Sequence, residues 1–117
     1  MQTTQGGCHC QAVRYEVTLD TEKPAIECNC SHCENKGMLL SFVKGDAFKL
    51  LSGADALTDY RFNKKKIGHM FCKHCGVQPF GKVQTEDGTE TVAINHRTLD
   101  NRNLEALQKK PFNGKDY

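Results

Sequence analysis

The sequence has no tryptophan, only three prolines and no long apolar run. The segment Met38-Leu39-Leu40 is as long as any apolar run, whereas a helix that crosses a bilayer needs about 20 apolar residues. We therefore expect no contact with a membrane. The first residues, MQTTQGG, lack both the basic flank and the apolar stretch of a secretion signal. This predicts a cytoplasmic protein in a reducing compartment, where disulfides are rare.

A clear excess of one charge is also absent, since 16 Lys and Arg stand against 14 Asp and Glu, for a formal net charge of +2. Nucleic-acid-binding domains usually carry a pronounced basic surface, so the composition argues against DNA or RNA as a partner. The 117 residues have the length of one domain, and no linker or internal repeat divides them. We predict a single domain over 1–117 whose small core needs additional stabilisation.

What the sequence does have is seven cysteines, all within three short motifs: Cys8-His9-Cys10, Cys28-Asn29-Cys30-Ser31-His32-Cys33 and Cys72-Lys73-His74-Cys75-Gly76. An odd count in a reducing compartment argues against a disulfide framework, and the C-x-C and C-x-x-C spacings are those of zinc ligands. A C-x-C on a strand places both sulfurs on one face. Gly76 allows the positive φ that a tight C-x-x-C turn often needs.

The seven thiols divide most simply into three and four. The second motif can hold one metal alone through Cys28, Cys30 and Cys33, and the outer motifs then form a four-thiol site of Cys8, Cys10, Cys72 and Cys75. A rival division pairs the first two thiols of the second motif with the third motif and leaves the first motif unused. Four thiolates make a closed structural zinc site, whereas three leave a position for water or substrate. We therefore expect two zinc ions per chain.

Apolar and polar residues alternate in several short segments, which is the pattern of half-buried strands. Strands are predicted over 13–19, 26–30, 40–43, 48–51, 58–62, 67–71, 77–84 and 91–95. A turn is predicted at Gly45-Asp46, and hairpin tips at 63–66 and 86–88. Helix is predicted only at 31–37, where Ser31 and Glu34 match a capping box and Gly37 ends the turn, and over 104–109 before Pro111. The predicted fold class is mainly β, a small zinc-stabilised antiparallel domain.

The five histidines are weaker candidates than the cysteines. Three of them lie between cysteines, where neighbouring side chains usually point away from a metal: His9, His32 and His74. His69 alternates with apolar residues and is interpreted as a strand histidine. His96 is predicted to lie on the surface rather than to approach a site.

Basic side chains supply the candidates for substrate contacts. Arg97 follows a predicted strand and is the candidate for binding a carboxylate, with Arg61 second. The three lysines of 64–66 are interpreted as a solvated hairpin tip. Cys33, near the start of the predicted helix, is expected to favour its thiolate form because a helix N-terminus stabilises negative charge.

Four stretches of the chain resemble the glutathione-dependent formaldehyde-activating (GFA) enzyme family: GGCHCQAVRYE, CNCSHCENKG, LTDYRFNKKKIGHMFCKHCGVQPFG and VAINHRTLD. They extend from Gly6 to Asp100 and contain the three cysteine motifs in the order found in the family. The resemblance implies the zinc-binding β-tent fold shared with methionine sulfoxide reductase B. It also implies a structural zinc on Cys8, Cys10, Cys72 and Cys75 and a catalytic zinc on Cys28, Cys30 and Cys33. Two positions depart from the family pattern, because Gln11 replaces a usual glycine and His96 a small apolar residue.

The reaction of the family joins glutathione to formaldehyde as S-hydroxymethylglutathione and is classed among the carbon–sulfur lyases. The resemblance therefore predicts a zinc-dependent enzyme of the S-(hydroxymethyl)glutathione synthase type, whose partners are a small thiol and a small aldehyde. A free thiol with a pKa of about 8.5 is only a few per cent thiolate at pH 7. A zinc-bound thiol is deprotonated, so an open three-thiolate site suits thiol activation. The alternative is a non-catalytic zinc-stabilised binding or chaperone-like module.

Overall fold

The computed structural model describes residues 2–20, 23–61, 67–85, 87–101 and 108–113. These residues form ten strands: β1 Gln2–Gly7, β2 Arg14–Leu19, β3 Ala25–Cys28, β4 Leu40–Lys44, β5 Phe48–Ser52, β6 Leu57–Tyr60, β7 Ile67–Cys72, β8 Phe80–Gln84, β9 Glu90–Asn95 and β10 Lys109–Phe112. They also form one α-helix, α1 Ser31–Lys36, and short 3-10 turns at Gly45–Ala47, Ala54–Ala56 and His96–Thr98. The prediction of a mainly β fold is confirmed. No helix in the described ranges has the length and apolar character needed to cross a membrane.

The strands form two sheets. One has the order β1-β2-β5, and the other has the order β10-β3-β4-β9-β8-β7-β6. The predicted hairpins are present as the antiparallel pairs β6–β7 and β8–β9. The 3-10 turn at 45–47 connects β4 to β5, which lie in different sheets. Every described strand pair is antiparallel except β10–β3, which is parallel.

The main core joins the smaller sheet to the middle of the larger one. Tyr15 of β2 and Phe80 of β8 are fully buried, and Phe48 of β5 lies against both rings at centroid distances of 5.6 and 4.6 Å. The hydroxyl of Tyr15 lies 2.8 Å from Oγ1 of Thr98, so its polar atom is hydrogen-bonded inside the core. Cys8 and Cys72 belong to this same core cluster. A separate small cluster of Cys33, Met38 and Leu40 lies beside α1.

Two edge strands were not predicted from the sequence. β1 reads QTTQGG and contains no apolar residue, so it lacks the alternation that indicates a strand. β10 contains Pro111, which a strand tolerates at a sheet edge because its missing N–H faces away from the ladder. The expected helical turn over 104–109 is wrong at Lys109, which begins β10. Residues 104–107 and the lysines of 64–66 lie outside the described residues.

Candidate functional site: two cysteine groups

All seven cysteines are free thiols and lie in two groups. The four-thiol group is Cys8, Cys10, Cys72 and Cys75, and the three-thiol group is Cys28, Cys30 and Cys33; within each group all Sγ atoms lie within 4.8 Å of one another. This membership is the one that the spacing predicts, and the rival division is not formed. Among the described residues, no histidine, aspartate or glutamate joins either group.

The four-thiol group is built by two similar turns. The first follows β1, where the N–H of Cys8 donates to the carbonyl of Val13 at 3.1 Å, and the second follows β7, where the N–H of Cys72 donates to Val77 at 2.9 Å. The C-x-C of the first motif therefore lies in a turn, whereas the sequence suggested a strand. Gly76 has φ 81°, the left-handed conformation predicted for the second turn.

Gln11 occupies the corresponding left-handed position in the first turn, with φ 71°. Among the described residues it is the only non-glycine with positive φ. A side chain there costs about 1–2 kcal/mol relative to right-handed backbone. A hydrogen bond from Arg14 to Oε1 of Gln11, at 3.1 Å, holds the side chain in place. Gln11 thus adopts the left-handed conformation that glycine adopts most easily.

The geometry of the four-thiol group fits a tetrahedral metal. Sγ of Cys10 lies 3.6 Å from Sγ of both Cys8 and Cys72. A tetrahedral zinc with Zn–S bonds of about 2.3 Å requires sulfur–sulfur separations of about 3.8 Å. Backbone N–H groups of Val13 and His74 donate to the sulfurs of Cys8 and Cys72 at 3.3 and 3.4 Å, which fixes the orientation of both sulfurs.

The three-thiol group spans the end of β3 and the start of α1. Sγ of Cys30 accepts from the N–H of Cys33 at 3.3 Å, so Cys30 is the N-cap of the helix. The predicted capping box is therefore wrong, because Ser31 is already helical and a sulfur takes the capping role. Gly37 ends the helix with φ 65°, as predicted. The end of β3 and the first turn of α1 thus bring the three sulfurs together.

The close approach of three thiols in this group favours the binding of a cation. Burial raises the pKa of Cys33, and the thiols of Cys30 and Cys28 act in the same direction. The expectation that the helix N-terminus favours a thiolate at Cys33 is therefore wrong, since burial outweighs it. Three thiolates in so small a volume repel one another, and a bound divalent cation offsets that repulsion. Three sulfurs without a fourth ligand among the described residues fit zinc with one open position.

A cleft of about 510 Å³, here called the thiol cleft, opens beside this group. Cys28, Cys33, Glu34, Met38, Arg97 and Phe112 are among its lining residues. The backbone N–H of Asn29 donates to the carbonyl of Phe112 at 3.1 Å, so β10 forms one wall. Nε of Arg97 donates to the carbonyl of Gly37 at 2.9 Å. The structure therefore places the predicted carboxylate-binding residue, Arg97, at the three-thiol group.

The other sequence candidates lie elsewhere. Arg61 is bound by the carboxylate of Asp59 and is not among the residues that line the described clefts. His96 is buried, with Nδ1 3.3 Å from Oγ of Ser41, so the prediction of a surface position is wrong. Its backbone N–H donates to Leu39 between β4 and the 96–98 turn, which explains the burial.

A second cleft, also of about 510 Å³ and here called the adjoining cleft, shares Met38 and Arg97 with the thiol cleft. Lys36 and Gln78 line it and were not predicted as functional residues. Oε1 of Gln78 accepts from Nζ of Lys36 at 3.0 Å and from Nε2 of His32 at 2.9 Å. The signal in the sequence was weak: Lys36 is four residues after His32, hence on the same face of the predicted helix.

His32 therefore points away from the sulfurs, as predicted, and packs against the buried His69 at a centroid distance of 4.1 Å. Burial lowers the pKa of His69 to about 4, with the nearby His32 and Lys36 lowering it further. His69 is thus a neutral strand histidine near pH 7, in line with its interpretation from the sequence. Its role is to pack α1 against β7.

Comparison with known proteins identifies the family. The profile of the family described as "Glutathione-dependent formaldehyde-activating enzyme" matches residues 3–113. The chain belongs to the GFA family. A Penicillium rubens protein named "Putative glutathione-dependent formaldehyde-activating enzyme" is 34% identical over 86 residues, which cover 68% of this chain and 44% of that protein. The chain thus matches less than half the length of this GFA relative.

A solved structure has the same fold. The crystal structure of a Rhodobacter sphaeroides protein, a structural genomics target, superposes with a TM-score of 0.77 at 29% identity. The superposition covers 91% of this chain and 99% of that protein. The resemblance to the GFA family that the cysteine motifs indicated is therefore confirmed, as is the fold class.

Proposed function

We propose that this chain is a zinc-dependent enzyme that adds a small thiol of the glutathione type to formaldehyde or a related small aldehyde. The observation that carries the proposal is the three-thiol group, open toward a cleft that also contains Arg97. A closed structural site does not need such an opening. The membership in the GFA family supports the choice of thiol and aldehyde.

The residues that would hold the catalytic zinc are Cys28, Cys30 and Cys33. When bound, zinc lowers the pKa of a coordinating thiol, so that the thiol is present as a nucleophilic thiolate. In the overall addition a carbon–sulfur bond forms, the carbonyl π bond breaks, and the thiol proton ends on the new hydroxyl oxygen. The four-thiol group would hold a second, structural zinc.

The side chains of the thiol cleft would bind and orient the substrate. Met38 is buried and Phe112 is half-exposed, and together they give the cleft apolar walls that limit water around the reacting atoms. The guanidinium of Arg97 is held at the carbonyl of Gly37 and offers its remaining N–H groups to a substrate carboxylate. This arrangement positions an acidic thiol relative to the three sulfurs.

The test is the rate of S-hydroxymethylglutathione formation above the spontaneous rate, measured by NMR exchange spectroscopy on protein verified to contain two zinc ions per chain. Exchange spectroscopy is suitable because the spontaneous reaction would mask catalysis in an end-point assay. We expect acceleration by the wild-type chain and by Asn35→Ala, an exposed control on the same helix. Cys30→Ala should abolish it. Absence of acceleration in the wild type, or its persistence in Cys30→Ala, would contradict the proposal.

A non-catalytic zinc-stabilised module is the second candidate. The observation in its favour is that Cys33 is buried against Met38 and Leu40, as expected for a structural ligand. Under this alternative Cys30→Ala should reduce stability as strongly as loss of a thiol from the four-thiol group. Under the enzymatic proposal it should cost about 1 kcal/mol, the usual effect of losing an N-cap.

A further inference from the structure

The adjoining cleft carries two cations that have no carboxylate partner among the described residues. Lys36 is held by Oε1 of Gln78 at 3.0 Å, and Arg97 is held by the carbonyl of Gly37 at 2.9 Å. Because Gly37 follows Lys36 directly, Lys36 and the carbonyl that holds Arg97 are neighbours at the end of α1. The carboxylate of Asp100 also lines this cleft, but it is already paired with Arg14.

The thiol cleft has the opposite balance. Glu27 and Glu34 line it, and three thiolates with one divalent cation carry a net charge of −1. An acidic thiol approaching the three-thiol group would therefore be repelled unless cations bind its carboxylates elsewhere. The two clefts share Met38 and Arg97, so one small molecule can extend from the sulfurs into the adjoining cleft.

The environment of Lys36 favours an anionic ligand. Lys36 is exposed, and its Nζ is held toward the protein surface, 3.0 Å from Oε1 of Gln78 and 5.1 Å from the centre of the Phe71 ring. Partial burial lowers the pKa of Lys36, which indicates that the ammonium group has lost part of its hydration. A carboxylate in the cleft would offset that loss.

We infer that the adjoining cleft is a carboxylate-binding subsite in which Lys36 and Arg97 each bind one carboxylate of the thiol substrate. This inference rests on the proposed function and makes it more specific, because it selects a thiol with two carboxylates, such as glutathione, over neutral thiols. The cleft volume of about 510 Å³ lies within the usual range of small-ligand sites, about 300–1,000 Å³.

The test is equilibrium binding of glutathione to the zinc-loaded chain by isothermal titration calorimetry, without aldehyde. Lys36→Gln and Arg97→Gln should each raise the Kd of glutathione about fivefold to tenfold, since each removes one charge-assisted contact. Lys36→Arg should stay within about twofold of the wild type, because it keeps the charge. Lys44→Gln, an exposed lysine of β4 outside both clefts, is the matched control and should bind glutathione as the wild type does.

Glutathione diethyl ester, which keeps the thiol and the amine but has no free carboxylate, provides the second arm. We expect it to bind at least tenfold more weakly than glutathione, with no dependence on Lys36. Equal binding of ester and glutathione, unchanged glutathione affinity in both Gln variants, or no binding to the wild type would each overturn the inference. Binding needs no catalysis, so failure of the proposed function appears separately, as absent acceleration in the exchange assay.

Discussion

The four-thiol and three-thiol groups use the same side chain in opposite structural settings. The four-thiol group joins two turns whose cysteines are more than sixty residues apart, and Cys8 and Cys72 belong to the main core, with exposures of 2% and 0%. The three-thiol group is contained in one short segment at the end of β3. It packs on a small separate cluster and borders a cleft beside the edge strand β10.

Because of this difference, a metal would have a different effect in each group. A metal on the four-thiol group would connect distant parts of the chain, so most of its binding energy would act as folding energy. A metal on the three-thiol group would close only a short loop that α1 already organises, and would add little to global stability. Its open position would then be available for chemistry.

The largest effect is expected for Cys72→Ala. Removing this buried thiol should lower the free energy of unfolding by on the order of 5 kcal/mol, because structural zinc contributes about 10–16 kcal/mol in zinc-finger peptides and three remaining thiols retain only part of it. Urea unfolding of the zinc-loaded variant provides the measurement. Cys30→Ala is the matched variant and should lose about 1 kcal/mol. Equal losses of unfolding free energy in Cys72→Ala and Cys30→Ala would show that the two thiol groups contribute equally to stability.

The second-largest effect is expected on removal of metal, which should distinguish the two thiol groups. During titration with a chelator, we expect one zinc equivalent to leave first while the far-UV circular dichroism is retained, and the second to leave only as the fold is lost. Three ligands bind more weakly than four, and an affinity difference of about a hundredfold corresponds to about 2.7 kcal/mol. Cys30→Ala should show only the late equivalent. Loss of structure together with the first equivalent would contradict the assignment.

A smaller effect is expected for Gln78→Leu, which tests the physical link between the groups. Gln78 follows the second turn of the four-thiol group, and its Oε1 holds Lys36 and His32 of α1. Leucine would leave these donors without their partner, at a cost of about 1–2 kcal/mol in unfolding free energy. Chelator titration should show earlier release from the three-thiol group alone. Gln84→Leu, on the exposed end of β8, is the control. If the first zinc equivalent of Gln78→Leu leaves at the same chelator concentration as in the wild type, the hydrogen bonds from Gln78 are not needed to hold α1 in place.

The smallest effect is expected for Gln11→Gly. Glycine relieves the strain of positive φ, but it also increases the entropy of the unfolded chain, so the net gain should be less than about 1 kcal/mol. Thermal unfolding against Gln5→Gly, at an exposed position of β1, provides the comparison. The control should be destabilised, because glycine weakens a strand. If Gln11→Gly is destabilised more than Gln5→Gly, the hydrogen bond from Arg14 to Gln11 contributes more to stability than the strain of the positive φ costs.

The cysteine groups could be predicted because their signal is local. Cys28, Cys30 and Cys33 lie close enough together to form one group, and the remaining four thiols then have only each other. Most strands were predictable for the same reason, since alternation reports burial on one face. β1 and β10 were missed because an edge strand without apolar residues, or with a proline, carries no such alternation.

The convergence of Lys36, Gln78 and Arg97 could not be predicted from the sequence. Gln78 and Arg97 contact the end of α1 across separations of 42 and 60 residues, and no local pattern encodes that distance. The burial of His96 has the same origin, since Ser41 of β4 and Leu39, which precedes that strand, are distant in the sequence. Each of these contacts depends on how α1 and the turns pack against the larger sheet.

The sequence by itself determined the chemistry available to this protein: seven thiols in motifs with metal-ligand spacing, a mainly β chain and one short helix. Only the tertiary structure decided where that chemistry faces. Packing buried two thiols of the four-thiol group in the main core and left the three-thiol group beside a cleft near a sheet edge. It also brought Lys36 and Arg97, two cations from separate segments, to the adjoining cleft. Spacing along the chain sets which ligands can meet, whereas burial and exposure arise only when distant elements pack together.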